Sequence, residues 1–323
     1  MTSNENLIDQ FSVKLILGCI HVLIFIVGSI SNCIAYLVFS RKYFQKTIFF
    51  VYFRFILIVD FMTLVSSIDY FLSFILGINL RSTTITCKIL SYENYALPSI
   101  STWIIVVVSI DRVISVLKPT SFLIRKTSFF QLFTCILIFL YNALFYTPLL
   151  FSTLDLNLNN NSDDLNETTA SYECIYFNPG GFMDYADFLN STIIPFIFMT
   201  LSTIIILVVL YKSRKKWQQP NNTSNINSKN PKNSSIKRDL RFAFTSITLN
   251  VFFLIFNLPV VGFLMISNFV KIDLKYFDLI YLILLLLFYV NYGTMFSLSL
   301  VANKSFRKEF FSLIKSKKRY LFF

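Results

Sequence analysis

Apolar runs of membrane length recur along the whole chain, and polar or charged residues gather in the gaps between them. Seven runs stand out, at 14–40, 47–76, 84–117, 128–151, 187–212, 239–267 and 276–301. An α-helix needs roughly 20 apolar residues to cross the hydrocarbon core of a bilayer. The runs are continuous and do not alternate, so they read as helices and not as the strands of a barrel. The pattern predicts an all-α membrane protein, a seven-transmembrane helix bundle. Beyond the last run, Phe306, Phe310 and Leu313 recur at helical spacing beside Arg307, Lys308 and Lys315. That spacing predicts a short amphipathic eighth helix lying in the membrane interface. The chain divides into a polar leader (1–13), the bundle (14–301) and an eighth helix with its tail (302–323).

Composition sharpens this. The chain is 55% hydrophobic and only 14% charged, where a soluble domain carries about 25% charged residues. The net charge of +12 does not point to nucleic acid, because the basic residues occupy alternate gaps. Arg41, Lys42 and Lys46 follow the first run, and Lys118, Arg125 and Lys126 follow the third. Larger basic groups follow the fifth and the seventh. The opposite gaps carry Asp155, Asp163, Asp164, Glu167, Glu173 and Asp273. Basic loops stay in the cytoplasm, so the N-terminus is expected outside the cell and the C-terminus inside.

Cys87 and Cys174 lie outside the runs and fall on the same, oxidising side, where they are expected to form a disulfide. Cys19, Cys33 and Cys135 lie within runs as small apolar residues. Asn160 and Asn166 head acceptor sequons in an outside loop and are expected to be glycosylated. A third sequon, at Asn190, sits too close to the bilayer. Residues 218–235 are polar and low in complexity and are expected to form a flexible loop. With His21 the only histidine, no histidine-based metal centre or triad can be built.

Several residues fall at telling places within the runs. Asn32 ends Gly28-Ser29-Ile30-Ser31-Asn32 in the first, and Asp60 is central in the second. Asp111-Arg112-Val113 closes the third, with Cys87 lying 25 residues before Arg112 and Pro119 seven after it. Pro195 lies in the fifth, Phe256-Asn257-Leu258-Pro259 in the sixth, and Asn303-x-x-Phe306-Arg307 opens the eighth helix. In this order and spacing, over nearly the whole chain, they resemble the rhodopsin-like (class A) G-protein-coupled receptors. There are departures. The fourth run has no tryptophan, and Asn257 stands where the sixth-helix tryptophan is expected. Met295 to Ser299 replaces Asn-Pro-x-x-Tyr, Thr203 replaces the fifth-helix tyrosine, and Val113 replaces the tyrosine after Arg112.

The resemblance implies a plasma-membrane receptor, not an enzyme. It would bind an extracellular ligand and activate a heterotrimeric G protein as the sixth helix opens, with arrestin a further partner. It assigns Arg112 to coupling, held at rest by Asp111 and by Asp239, 20 residues before Pro259. The alternative for Asp239 is a charge favouring a helix N-terminus. Phe253, Asn257, Pro259 and Pro195 would form the switch region. Asp60 is costly in hydrocarbon unless paired, protonated or solvated. The family holds a sodium ion there; Ser101 and Asn291 match two of its partners, while Tyr292 and Met295 replace two others. A weak sodium site is one expectation, and a protonated Asp60 bonded to Asn32 is the other; no further cofactor is expected.

The ligand is approached by elimination. An amine receptor of this family would have aspartate where Asn94 stands, and an opsin would have lysine where Tyr289 stands. What remains is a polar, acidic outer mouth containing Tyr70, Asn94, Tyr95, Asp187, Tyr281 and Tyr289. This is similar to the peptide-receptor branch, of FMRFamide-type receptors, and suits a basic or amidated neuropeptide-like ligand. The alternative is that these acids are solvated loop charges. Two other classes compete: a seven-helix receptor that binds ligand without signalling, and a membrane transporter. Against the transporter stand the scarcity of breakers, 7 Gly and 8 Pro, and an odd number of spans.

Overall fold

A computed structural model describes residues 2–45, 49–117, 127–158, 170–175, 182–218, 231–269 and 274–320. The first run and the polar leader form one helix, α1 (Thr2–Phe39), followed by a single turn, α2 (Lys42–Gln45). The second run is two helices, α3 (Phe50–Ser66) and α4 (Ile68–Leu76), broken at Ser67. The third is α5 (Thr84–Leu117), with the bounds its apolar pattern predicts. The fourth is α6 (Ser128–Phe145), prolonged by a 3-10 turn, Thr147–Phe151. The fifth joins α7 (Phe182–Asp187), a π-helical turn (Phe188–Ile193) and α8 (Ile194–Gln218). The sixth is α9 (Pro231–Phe269). The seventh is α10 (Leu274–Gly293) with α11 (Met295–Ala302), and α12 (Lys304–Tyr320) is the amphipathic eighth helix.

Among the described residues, five helices are long and apolar enough to cross a membrane, and six if α10 and α11 count as one span bent by 55°. The pair α3 and α4 supplies the second crossing; neither half reaches membrane length, with 17 and 9 residues. The third crossing is the axle. The most apolar window of α5 is 56% buried, against 17–28% for the other four unbroken spans.

Two features depart from the expected outline. The outer loop contains an antiparallel hairpin, β1 (Thr153–Leu158) against β2 (Ala170–Ile175), with Leu154 opposite Cys174. Helix α9 begins at Pro231, so it takes in the last five residues of the expected polar loop, 218–235. Proline is well suited to a first helical position, where its missing N–H would have had no partner. The glycosylation candidates Asn160 and Asn166 lie outside the described residues.

The bend in the seventh crossing forms without the proline its counterpart would carry. Gly293 and Thr294 separate α10 from α11, and the Thr294 hydroxyl donates to the Asn291 carbonyl at 2.8 Å. The Asn32 side-chain amide crosses from α1 to donate to the Tyr292 carbonyl at 2.9 Å. Kinks arise where glycine or an inserted side chain interrupts the helical ladder. Small residues let the two backbones meet here: a Cβ on Gly293 would lie 2.9 Å from the Cα of Gly28.

At the inner end, α12 is held by aromatic packing. Phe306 is fully buried, with its ring centroid 5.1 Å from that of Phe39 and 5.8 Å from that of Phe296. Asn303 caps the helix, its Oδ1 accepting from the N–H groups of Ser305 and Phe306. Arg41 pairs with Glu309 at 3.3 Å.

Gly293→Ala tests the contact between the first and seventh crossings. Alanine normally gains about 1 kcal/mol over glycine in a helix. Here overpacking should cost about 1–3 kcal/mol instead, read as a lower melting temperature of the purified receptor. An increase would show that the backbones do not touch.

Candidate functional site

The outer half of the bundle encloses a cavity of about 110 Å³. Five of the six predicted pocket residues line it: Asn94 and Tyr95 from α5, Asp187 from the end of α7, and Tyr281 and Tyr289 from α10. Tyr70 lies on α4, and its side chain is outside the described residues. Asn257 of the expected switch region also lines the cavity. Its amide donates to the Phe253 carbonyl one turn earlier, at 2.9 Å. Phe253 is buried against Val106 and Met199. Pro195 is buried in the first turn of α8, and Pro259 sits within α9.

Above the cavity, Cys87 in the first turn of α5 is bonded to Cys174 of β2, with the Cα atoms 5.6 Å apart. The expected disulfide therefore pins the hairpin to the outer end of the central helix.

A polar hub beside the cavity escaped the sequence reading. Asn190 sits in the π-helical turn and is 2% exposed. Its Oδ1 accepts from the Trp103 indole at 3.1 Å and from the Tyr141 hydroxyl at 2.8 Å. Its Nδ2 lies within hydrogen-bonding distance of Ser99 Oγ, Asn142 Oδ1 and the Tyr146 hydroxyl. Tyr146 in turn donates to Asp187 at 2.5 Å. The third, fourth and fifth crossings are thereby joined by side chains that hydrocarbon could not satisfy. The signal available beforehand was one polar residue within each of three apolar runs: Ser99, Asn142 and Asn190. Such burial also rules out a glycan on Asn190 in the folded protein.

The intramembrane network is only partly as expected. Asp60 accepts from Ser101 at 2.6 Å, and both are buried. Asn32 does not bond to Asp60, because its amide is spent on the broken seventh crossing and its Oδ1 has no partner among the described residues. Asn291 contributes its backbone carbonyl, to Thr294. Lower down, Ser109 donates to Asn250, whose amide donates to Thr203 at 3.0 Å. Thr203 stands at the divergent fifth-helix position, so that replacement has a partner of its own.

At the inner end of α5, Asp111 and Arg112 are both buried and turn to different neighbours at the start of α3. Tyr52 donates to Asp111 Oδ2 at 3.1 Å. The Arg112 guanidinium lies 3.9 Å above the Phe49 ring. Phe49 has φ 78°, the one positive-φ non-glycine residue among those described. A bulky side chain in that region of backbone space is strained and persists only where its surroundings hold it. Phe49 immediately precedes α3, and its ring stacks against that of Tyr52 with the centroids 6.3 Å apart. Asp239 lies on α9, with its side chain outside the described residues.

A helical bundle with a disulfide-pinned outer hairpin, a polar cavity beneath it and a buried Asp-Arg pair at the inner foot of the central helix defines a seven-helix membrane receptor. The family of seven-transmembrane receptors of the rhodopsin type matches residues 31–293. The chain belongs to that family. It is thus a multi-pass plasma-membrane receptor, and membership implies an extracellular ligand and coupling to a G protein. No curated protein matches the chain.

Asn190→Ala removes the centre of the polar hub. Each buried partner left unpaired costs about 1–3 kcal/mol. The purified variant should melt clearly below the parent, and an unchanged melting temperature would show that the hub is not formed.

Proposed function

We propose that this receptor binds a neuropeptide-like peptide at its outer face and activates a heterotrimeric G protein when the inner end of α9 moves away from α5. The observation that carries this reading is the cavity itself, walled by Tyr95, Tyr281 and Tyr289, acidic at Asp187 and lying below a disulfide-anchored hairpin. A space of about 110 Å³ takes one terminal residue, and the rest of a peptide would lie across the hairpin. The N-terminus is then extracellular, and Asn160 and Asn166 on the same side would carry glycans.

In this reading, Arg112 makes the contact with the G protein once released. At rest it is held by the Phe49 ring and by Asp239, while Tyr52 keeps Asp111 in place. A cation over an aromatic face is worth roughly 0.5–2 kcal/mol, enough to bias a two-state element without freezing it. Arrestin would use the same inner face. At Asp60, the carboxylate and the Ser101 hydroxyl are oxygen donors suited to a sodium ion, and a protonated Asp60 is the alternative. A hard cation takes about six oxygens, so these few would hold it weakly. Sodium there would stabilise the resting bundle.

The test is G-protein activation in cells, basal and in response to a peptide library. Arg112→Ala should abolish both in a well-expressed receptor. Phe49→Leu and Asp239→Arg should each raise basal output by weakening the hold on Arg112. Peptide binding with no activation in the parent receptor would favour the non-signalling reading, which Asn257 and Met295 at switch positions support.

A further inference from the structure

The lining of the cavity has a chemical bias that the peptide reading alone does not require. Asp187 receives a hydrogen bond from Tyr146. A carboxylate has about four acceptor positions, so this bond leaves it acceptor capacity. Among the described residues no lysine, arginine or histidine pairs with it, and none lines the cavity. On the α5 wall, both polar atoms of the Asn94 side chain are buried and have no hydrogen-bond partner among the described residues. An unpaired amide costs about 1–3 kcal/mol. Tyr281, Phe288, Tyr289 and Tyr292 supply aromatic walls. The interior therefore offers a negative charge, an unsatisfied amide and ring faces, and supplies no positive charge of its own.

We infer that Asp187 and Asn94 form a cation subsite, which takes an N–H-rich organic cation, a primary ammonium or a guanidinium, from the ligand. The carboxylate receives charge-assisted hydrogen bonds from the cation, and the Asn94 carbonyl accepts a further N–H. The rings flank the group and favour a cation over a neutral isostere. Such a cation comes either from a basic residue or amino terminus of a peptide or from a free amine. This assignment rests on the cavity being the ligand pocket, as proposed above.

The experiment uses the full-length receptor, purified, and measures its melting temperature with benzylamine, benzamidine and the neutral benzyl alcohol and benzamide at equal millimolar concentrations. The cationic probes should raise the melting temperature and the neutral ones should not. Asp187→Asn should abolish the shift, and Asn94→Leu should reduce it; losing one charge-assisted bond weakens binding roughly tenfold to a hundredfold. No shift with either cation, equal shifts from neutral and cationic probes, or a shift that survives Asp187→Asn would overturn the subsite. The charged-against-neutral comparison is made on the parent protein, so it decides the matter even where a variant does not fold. Activation by peptides and by free amines is scored separately. An activating peptide with no basic group overturns the subsite and leaves the peptide reading intact. Activation by free amines alone, lost in Asp187→Asn, keeps the subsite and removes the peptide reading.

Discussion

Hydrocarbon offers polar side chains nothing to bond to, and the packing of this bundle follows from that. The central helix α5 carries polar groups at intervals along its length, and each reaches a different neighbour. Ser99 meets Asn142 and Asn190, Ser101 meets Asp60, Trp103 meets Asn190, Ser109 meets Asn250 and Asp111 meets Tyr52. Those partners lie on the second, fourth, fifth and sixth crossings. Apolar contact is weakly selective between helices when lipid is as apolar as leucine, so such bonds specify which faces meet. With one end tied to the hairpin and the other bearing Arg112, α5 joins the proposed ligand side of the receptor to the proposed coupling side.

The family positions that have diverged do not leave the structure without support. Where a proline would bend the seventh crossing, Gly293 and Thr294 break it and Asn32 holds the exposed carbonyl of Tyr292. At the fifth-helix position, Thr203 accepts from Asn250 and so still ties the fifth crossing to the sixth. Asn257, at the tryptophan position, closes a local bond to Phe253 and faces the cavity. Phe49 is an element the family pattern does not predict, a strained aromatic lid on Arg112.

Much of this was legible from the chain. The third crossing has the bounds its run predicts, because backbone groups in lipid are satisfied by a helix whatever side chains it carries. The disulfide followed from two cysteines on one side of the membrane, and five of the six residues of the polar mouth come together around one cavity. What could not be read is the pairing of polar residues far apart in sequence. A bond from Asn32 to Asp60 is one of two alternatives the sequence leaves open, and Asn32 instead bonds across 260 positions to Tyr292. Asn190 read only as a sequon, because the π-helical turn that faces it inward leaves no mark in the apolar pattern. The hairpin was hidden for a related reason: its strands are short, polar in part and held by a bond to α5.

The proposed orientation is the claim on which pocket and coupling site both depend, since it puts Asp187 outside the cell and Arg112 inside. It is tested most directly by antibody access to epitopes placed at the two ends of the chain in intact and permeabilised cells. The expected result is an N-terminal epitope stained on intact cells and a C-terminal epitope stained only after permeabilisation. The reverse pattern, or both ends on one side, would contradict the account.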